Sequence, residues 1–249
     1  MSRFCAFCSP LWSTSILVLM RLTLESRARG GTRDRVYGAL REAIVSARLE
    51  PGRKLSEVEL THELGVSRTP IREALALLRE DRLVAIVPQL GTFVTLISAD
   101  AVADAAFVRE ALECSAVRRT AERIEAAGLE DLSANLAAQE RAERSGDTEA
   151  FDGLDDGLHR LICEHSGHRI AWELSRRANG QLDRVRRLSL PEPGYVGQMV
   201  AEHREVVAAI ADRDADRAEA ALRHHLRMVL SQVPALEREH PEFFEDARP

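Results

Sequence analysis

The sequence predicts a mainly α-helical protein in which an N-terminal winged helix-turn-helix precedes an all-helical antiparallel bundle. Aromatic residues form only 4% of the 249 residues, whereas Ala, Leu, Arg and Glu, which suit helices, recur throughout. Strand-like alternation is confined to residues 83–97, and the segments after it have helical periodicity. The expected parts are a disordered extension (1–30), the winged domain (31–97), the helical bundle (98–235) and a solvated tail (236–249).

The first residues carry two weak signals that suggest neither export nor a metal finger. The apolar run 16–20 is too short to span a bilayer, and no small-residue cleavage site follows it. Cys5 and Cys8 have CxxC spacing, but no second ligand pair follows at a zinc-finger interval. We expect a disordered or wrongly assigned extension, with Met20 as an alternative start.

The winged domain is predicted from three helical patterns followed by a hairpin. Ser56 begins the second helix with Glu59 at the capping-box position, and Gly65 suits its C-terminal turn. Ser67 is the expected cap of the third helix, and Pro70 lies in its first turn. The stretch "LVAIVPQLGTFVTLI" then predicts two short strands around "PQLG". The expected helices cover 33–49, 56–64 and 67–80.

Basic side chains at the start of the third helix suggest a contact with nucleic acid. The predicted second and third helices form the helix-turn-helix motif. In such a motif the latter of the two helices enters the major groove, with its N-terminal residues on the base edges. Arg68 and Arg72 are four residues apart and share a helix face, and Thr69 lies beside them. Arginine suits bidentate contacts to guanine and also binds phosphate. The alternative is that both are ordinary solvated helix charges.

The charge distribution agrees with a polyanion partner for the front of the chain only. Residues 21–95 hold 13 Lys and Arg against 10 Asp and Glu, whereas residues 96–249 hold 20 against 30. The balance is mild, so the placement of the arginines carries more weight than the net charge. Six helices are expected in the acidic rear, over 98–127, 129–145, 148–166, 168–190, 195–212 and 214–232.

Four metal-competent side chains of the rear part are predicted to face one interior. Asp155 and His159 are one helical turn apart, and His203 and His225 fall in step with the apolar residues of their own helices. One Asp and three His suit a divalent ion such as zinc, nickel or manganese. The alternatives are hydrogen-bonded core histidines, a purely structural metal, or a metal-dependent enzyme acting on a small organic acid. No general base is placed for such an enzyme.

Arg109 is a further candidate on the inward face of the first rear helix. A buried guanidinium needs an anionic partner, because an unpaired buried charge is costly. That partner is either Glu113, in an internal ion pair, or the carboxylate of a bound ligand.

The front motifs resemble the DNA-binding domain of GntR-type bacterial regulators. The matching stretches are "LEPGRKLSEVEL", "LGVSRTPIREALALL" and "GTFV", in that order. The resemblance implies that Arg68, Thr69 and Arg72 read DNA, that Arg41 touches the DNA backbone, and that Gly91 shapes the wing tip. Some relatives carry an arginine early in the second helix where this chain has Val58, so no polar contact is expected there.

The rear motifs resemble the FCD ligand-binding domain of the FadR-type branch of that family. The matching stretches are "VREALE", "LDDGLHRLICEHSG", "AEHREVVAAI" and "AALRHHL". The resemblance implies metal ligation by Asp155, His159, His203 and His225, and anchoring of an organic acid by Arg109.

The expected function is a ligand-responsive transcriptional repressor rather than an enzyme. A cytoplasmic homodimer would bind double-stranded operator DNA, and a small carboxylate metabolite in the metal-containing bundle would change that binding.

Overall fold

The computed structural model describes Leu22 and residues 31–246. The predictions for Cys5, Cys8 and Met20 therefore lie outside the described residues, as do the last three residues of the predicted tail. The described chain is mainly helical, with a small sheet near its N-terminal end, which confirms the predicted fold class. No helix within the described residues is both long enough and apolar enough to cross a membrane.

The winged domain contains three helices and a three-stranded antiparallel sheet. Its second helix begins as predicted, because the Ser56 hydroxyl accepts a hydrogen bond from the Glu59 backbone N–H at 3.3 Å. It ends at Gly65, whose φ of +63° lies in the left-handed region that favours glycine. The elements in chain order are α1 (Thr32–Val45), β1 (Lys54–Leu55), α2 (Glu57–Leu64), α3 (Arg68–Glu80), β2 (Val84–Val87) and β3 (Gly91–Val94).

Two details of this domain differ from the expectation. Ser67 precedes α3 in the extended conformation, but its side chain makes no capping hydrogen bond. The third residue of α3 is Pro70, which has no backbone N–H to donate a capping hydrogen bond to the Ser67 hydroxyl. The strand β1, which pairs Lys54 with Phe93 on the central strand β3, was not predicted, since two residues show no periodicity.

The rear domain contains seven helices among the described residues, one more than predicted. The expected helix over 168–190 is two helices that meet around Asn179. At this break Gly180 lies so close to the winged domain that an added Cβ would stand 2.6 Å from the carbonyl oxygen of Asp81. The helices are α4 (Ala99–Arg123), α5 (Ala126–Ser145), α6 (Thr148–His165), α7 (Ile170–Ala178), α8 (Gly180–Ser189), α9 (Tyr195–Ala211) and α10 (Ala215–Glu239).

The predicted solvated tail is wrong at Leu236 and Phe244, which are buried, whereas the other described tail residues are exposed or half-buried. The helix α10 continues through Pro234 to Glu239, and the chain then turns back onto the rear domain. Phe244 is buried in an apolar cluster with Leu236, and the Ile97 backbone N–H donates to the carbonyl oxygen of Phe243 at 2.8 Å. Burial of Leu236 and Phe244 therefore holds the tail beside Ile97, in the linker that joins the two domains.

Candidate metal centre and DNA-binding surface

Four potential metal ligands from three helices meet inside the rear domain. Asp155 and His159 lie one turn apart on α6, His203 lies on α9, and His225 lies on α10. All four side chains are buried, and one ligand atom from each lies within 4.8 Å of the other three. The structure thus brings together the four residues that the helical spacing selected.

The facing atoms are spaced like the ligands of one ion. The Nε2 atom of His225 lies 3.1 Å from that of His203 and 3.2 Å from that of His159. The Oδ1 atom of Asp155 lies 3.3 Å from His203 Nε2 and 3.8 Å from His159 Nε2. Ligands about 2.0–2.1 Å from a tetrahedral ion are roughly 3.3 Å apart, so these spacings fit a small divalent cation.

Acceptors on neighbouring helices orient two of the imidazole rings. His203 Nδ1 lies 2.6 Å from the amide oxygen of Gln139, and His225 Nδ1 lies 3.0 Å from a carboxylate oxygen of Glu202. A proton on each Nδ1 satisfies these acceptors and leaves the Nε2 lone pair directed at the centre. This arrangement, in which an outer residue fixes the tautomer of a ligating histidine, is typical of metal sites.

Glu113 lies directly behind the third ring. One of its carboxylate oxygens lies 2.7 Å from His159 Nδ1, while the other accepts from Arg109 Nε at 2.9 Å and from the Ser175 hydroxyl at 3.0 Å. Burial alone would raise the pKa of Glu113, but Arg109 and His159 outweigh it and hold that pKa below its ordinary value. Glu113 is therefore an ionised acceptor behind His159.

The charge state of the centre favours a cation. Burial would raise the pKa of Asp155, but the attraction of Arg186 holds it well below its ordinary value. Burial, followed by the proximity of His225, lowers the pKa of His203, and burial also lowers the pKa of His225. A carboxylate and two neutral imidazoles are the protonation states that metal binding requires. The Oδ1 atom of Asp155 is buried and has no hydrogen-bond partner among the described residues.

Arg109 forms the internal ion pair that was one of its two predicted roles. Its side chain is 4% exposed, and its Nε donates to Glu113. Its Nη2 atom, however, is buried without a hydrogen-bond partner among the described residues, as is the hydroxyl of Tyr195. Each unpaired buried donor costs free energy, so the internal ion pair with Glu113 leaves the hydrogen-bonding capacity of Arg109 incompletely satisfied.

The predicted DNA-reading residues lie on the surface of the winged domain. Arg68, Thr69 and Arg72 are all exposed at the start of α3. Arg72 Nε donates to a Glu57 carboxylate oxygen at 2.8 Å, with the arginine side chain still 64% exposed. Gly91 begins the strand after the wing turn with a φ of +121°, a conformation that other residues rarely adopt.

Arg41 does not share that surface. Its guanidinium forms an ion pair with Asp183 of the rear domain, and its side chain is only 12% exposed. Arg41 thus joins the two domains in this structure, so we leave it out of the proposed DNA-binding surface.

Several residues of the centre were missed by the sequence reasoning. Gln139 is fully buried on α5, Glu202 precedes a ligand directly, and Arg186 holds Asp155 from α8. The signal available for Gln139 was a polar side chain in step with the buried Leu132 of the same helix. Arg186 gave no signal, because it lies in an arginine-rich stretch.

The fold and these two surfaces define a class, that of regulators with a winged DNA-binding domain and a separate helical sensor domain. Residues 32–94 match the model for bacterial regulatory proteins of the gntR family, and residues 104–228 match the model for the FCD domain. The chain belongs to the GntR family of transcriptional regulators and carries an FCD domain. It is accordingly a DNA-binding regulator and not an enzyme, which confirms the predicted class.

Relatives and solved structures agree with this assignment. An HTH-type transcriptional regulator in an unstable DNA locus of Streptomyces ambofaciens is 38% identical over 88% of this chain and 92% of its own length. The HTH-type transcriptional repressor RspR of Escherichia coli K12 is 32% identical over 86% of this chain and 93% of its own length. A GntR transcriptional regulator from Rhodococcus sp. RHA1 has a TM-score of 0.68 at 25% identity, covering 82% of this chain and 97% of its own. Escherichia coli McbR/YncC shares the fold, with a TM-score of 0.72 at 20% identity over 85% of this chain and 99% of its own.

Proposed function

We propose that this regulator is a ligand-responsive repressor whose rear domain binds a divalent metal and a small carboxylate effector. The observation that carries the proposal is the buried convergence of three Nε2 atoms and one carboxylate oxygen. Lone pairs directed at one another repel unless a cation lies between them. The 32% identical relative is named a transcriptional repressor, which supports repression rather than activation of transcription.

In the winged domain, Arg68, Thr69 and Arg72 read the major groove, and the wing turn that precedes Gly91 contacts the adjacent DNA backbone. The exposure of the three α3 residues supports this role, since a base contact requires accessible donors. We assign residues 31–97 to this domain and residues 98–235 to the effector domain, with residues 236–246 packed against the latter.

In the rear domain, Asp155, His159, His203 and His225 hold the metal, for which zinc, nickel and manganese remain the candidates. A bound ion offers a positive site to a carboxylate group. Arg109 supplies a second positive group whose Nη2 donor is unpaired. A small organic acid is therefore the class of effector that fits, with Arg109 holding the end of the ligand away from the ion.

The active species is a homodimer in the cytoplasm, where its operator lies. Three large apolar side chains are exposed on the rear domain: Phe107 of α4 (75%), Ile170 of α7 (57%) and Leu174 of α7 (45%). A second copy of the chain covers this apolar surface in the dimer. Two recognition helices then reach successive major grooves, about 34 Å apart.

The DNA-binding part is tested with a duplex selected from a random pool by the purified protein. The Arg68→Ala/Arg72→Ala variant is compared with Arg79→Ala/Arg119→Ala, which removes one exposed arginine from the far end of α3 and one from the rear domain. Two lost bidentate contacts predict an affinity decrease of roughly 30-fold or more in the first variant only. Unchanged sequence-specific binding by the first variant would defeat the proposed DNA contacts.

The sensor part is tested by thermal melting with zinc, with a chelator, and with a panel of small carboxylic acids. Free zinc at 100 times its Kd stabilises the folded protein by about 2.7 kcal/mol. A further rise in Tm with one acid, seen only in the zinc-loaded protein, supports the effector site. If the chelator lowers the Tm of the protein but no acid changes it, the metal has only a structural role.

A further inference from the structure

The helix α8 lies between the metal centre and the winged domain and bonds to both. On one side, Asp183 pairs with Arg41 of α1, and Gln181 Nε2 donates to the Arg82 carbonyl oxygen at 2.8 Å. On the other side, Arg186 forms an ion pair with Asp155, one of the four candidate metal ligands. A single helix therefore contacts the sensor site and the DNA-binding domain within about one and a half turns of its length.

The contacts form an unbroken series of alternating charges. Arg186 Nη2 donates to Asp155 Oδ2, and its Nη1 donates to Asp183 Oδ1 at 3.1 Å and to Asp156 Oδ1 at 3.2 Å. The second oxygen of Asp183 accepts from Arg41 Nη2. The four side chains from Asp155 to Arg41 are 3%, 9%, 12% and 12% exposed, so water screens these pairs only weakly.

We infer that Arg186 and Asp183 are positioning residues that couple occupancy of the metal centre to the docking of α1 on the rear domain. The inference rests on the proposed metal site and goes beyond it by identifying the route from that site to the DNA-binding domain. Asp155 presents one oxygen, Oδ1, to the histidines and the other, Oδ2, to Arg186. The same carboxylate thus serves the centre and the series of ion pairs.

The direction of the coupling follows from the charges. When a divalent cation neutralises part of the charge of Asp155, the attraction between Asp155 and Arg186 weakens. Arg186 then interacts more strongly with Asp183, its remaining partner toward the winged domain. Because Asp183 already contacts both guanidinium groups, a shift of Arg186 toward Asp183 draws that carboxylate away from Arg41. The contact between α1 and the rear domain loosens as a result.

A neighbouring ion pair provides a matched control. Arg187 of α8 donates to Glu42 of α1 at 3.3 Å, so it crosses the same boundary between the same two helices. Its other partner is Asp152 at 2.7 Å, which is not a candidate ligand. Removing the Glu42 carboxylate weakens the boundary without touching the series that begins at Asp155.

The test is amide hydrogen exchange of the full-length protein with zinc and with a chelator, after zinc binding has been measured by calorimetry. Exchange of the α1 amides reports local opening of that helix. We expect zinc to speed this exchange roughly fivefold or more in the wild type and in Glu42→Gln. In Asp183→Asn, which keeps the shape of the side chain, the effect of zinc on α1 should disappear while zinc still binds.

The outcomes separate this inference from the metal proposal. Zinc binding with an unresponsive α1 in the wild type, or an equal α1 response in Asp183→Asn, would overturn the coupling and leave the metal site standing. A failure of the wild type to bind zinc, nickel or manganese would overturn both. Loss of the response in Glu42→Gln as well would assign it to general weakening of the boundary and would also overturn the role of Asp183.

Discussion

Replacing Gln139 with methionine tests the outer contacts of the metal centre without removing a ligand. The Gln139 amide oxygen lies 2.6 Å from His203 Nδ1, and its amide nitrogen donates to Asn135 Oδ1 at 2.8 Å and to the Leu154 carbonyl oxygen at 3.4 Å. Methionine has a similar length but offers no comparable acceptor. In Gln139→Met, nothing therefore holds the proton on Nδ1 or fixes the plane of the His203 ring.

The expected effect is large enough to measure and small enough to leave a folded protein. Loss of an outer contact to a ligating histidine typically weakens metal binding by about 10–100-fold, or about 1.4–2.7 kcal/mol. The metal-free protein also loses stability, by about 1–3 kcal/mol, because the buried partners of the Gln139 amide become unsatisfied.

Isothermal titration with zinc, below the Tm of every variant, measures the affinity. Gln232→Met is the matched control, since Gln232 lies about two helical turns beyond His225 on α10 and its amide nitrogen donates to the neighbouring Ser231 hydroxyl at 3.2 Å. An affinity of Gln139→Met within about twofold of both the control and the wild type would refute the role of the outer shell.

Three further changes test other parts of the structure. In Gly180→Ala the new Cβ meets the Asp81 carbonyl oxygen at 2.6 Å, so urea unfolding should show a loss of about 1–3 kcal/mol. Burial and the hydrogen bond to Asp81 raise the pKa of Tyr37 to about 12, so its contribution to stability is complete below pH 10 and is lost as the pH rises toward 12. In Tyr37→Phe, the free energy of unfolding from urea titrations should fall less between pH 9 and pH 11.5 than in the wild type. An equal fall in both proteins would contradict this role of Tyr37. Phe107→Glu should shift the protein toward monomer in sedimentation velocity, since Phe107 is 75% exposed, and an unchanged dimer would exclude this face.

The winged domain could be predicted almost completely because its signals are local. Ser56, Gly65 and Pro70 mark helix ends through their own backbone and side-chain chemistry, and the hairpin alternates over adjacent residues. The strand at Lys54 could not be predicted, because its only support is pairing with residues nearly forty positions away.

The convergence of the four candidate ligands could also be predicted, since each is in register with the apolar face of its own helix. The residues that contact these histidines from outside could not be predicted. Gln139 and Glu202 reach their histidines across helix pairs whose packing the periodicity does not specify. The same limit applies to Arg41, whose partner Asp183 is 142 residues away in the sequence. The break before Gly180 and the burial of Phe244 likewise depend on contacts between distant segments.

The most direct test of the central claim is anomalous diffraction at the zinc absorption edge from crystals of the zinc-loaded protein. The account predicts one strong peak per chain, among the Nε2 atoms of His159, His203 and His225 and the Oδ1 atom of Asp155. The absence of a peak there, with zinc bound elsewhere on the chain, would contradict it.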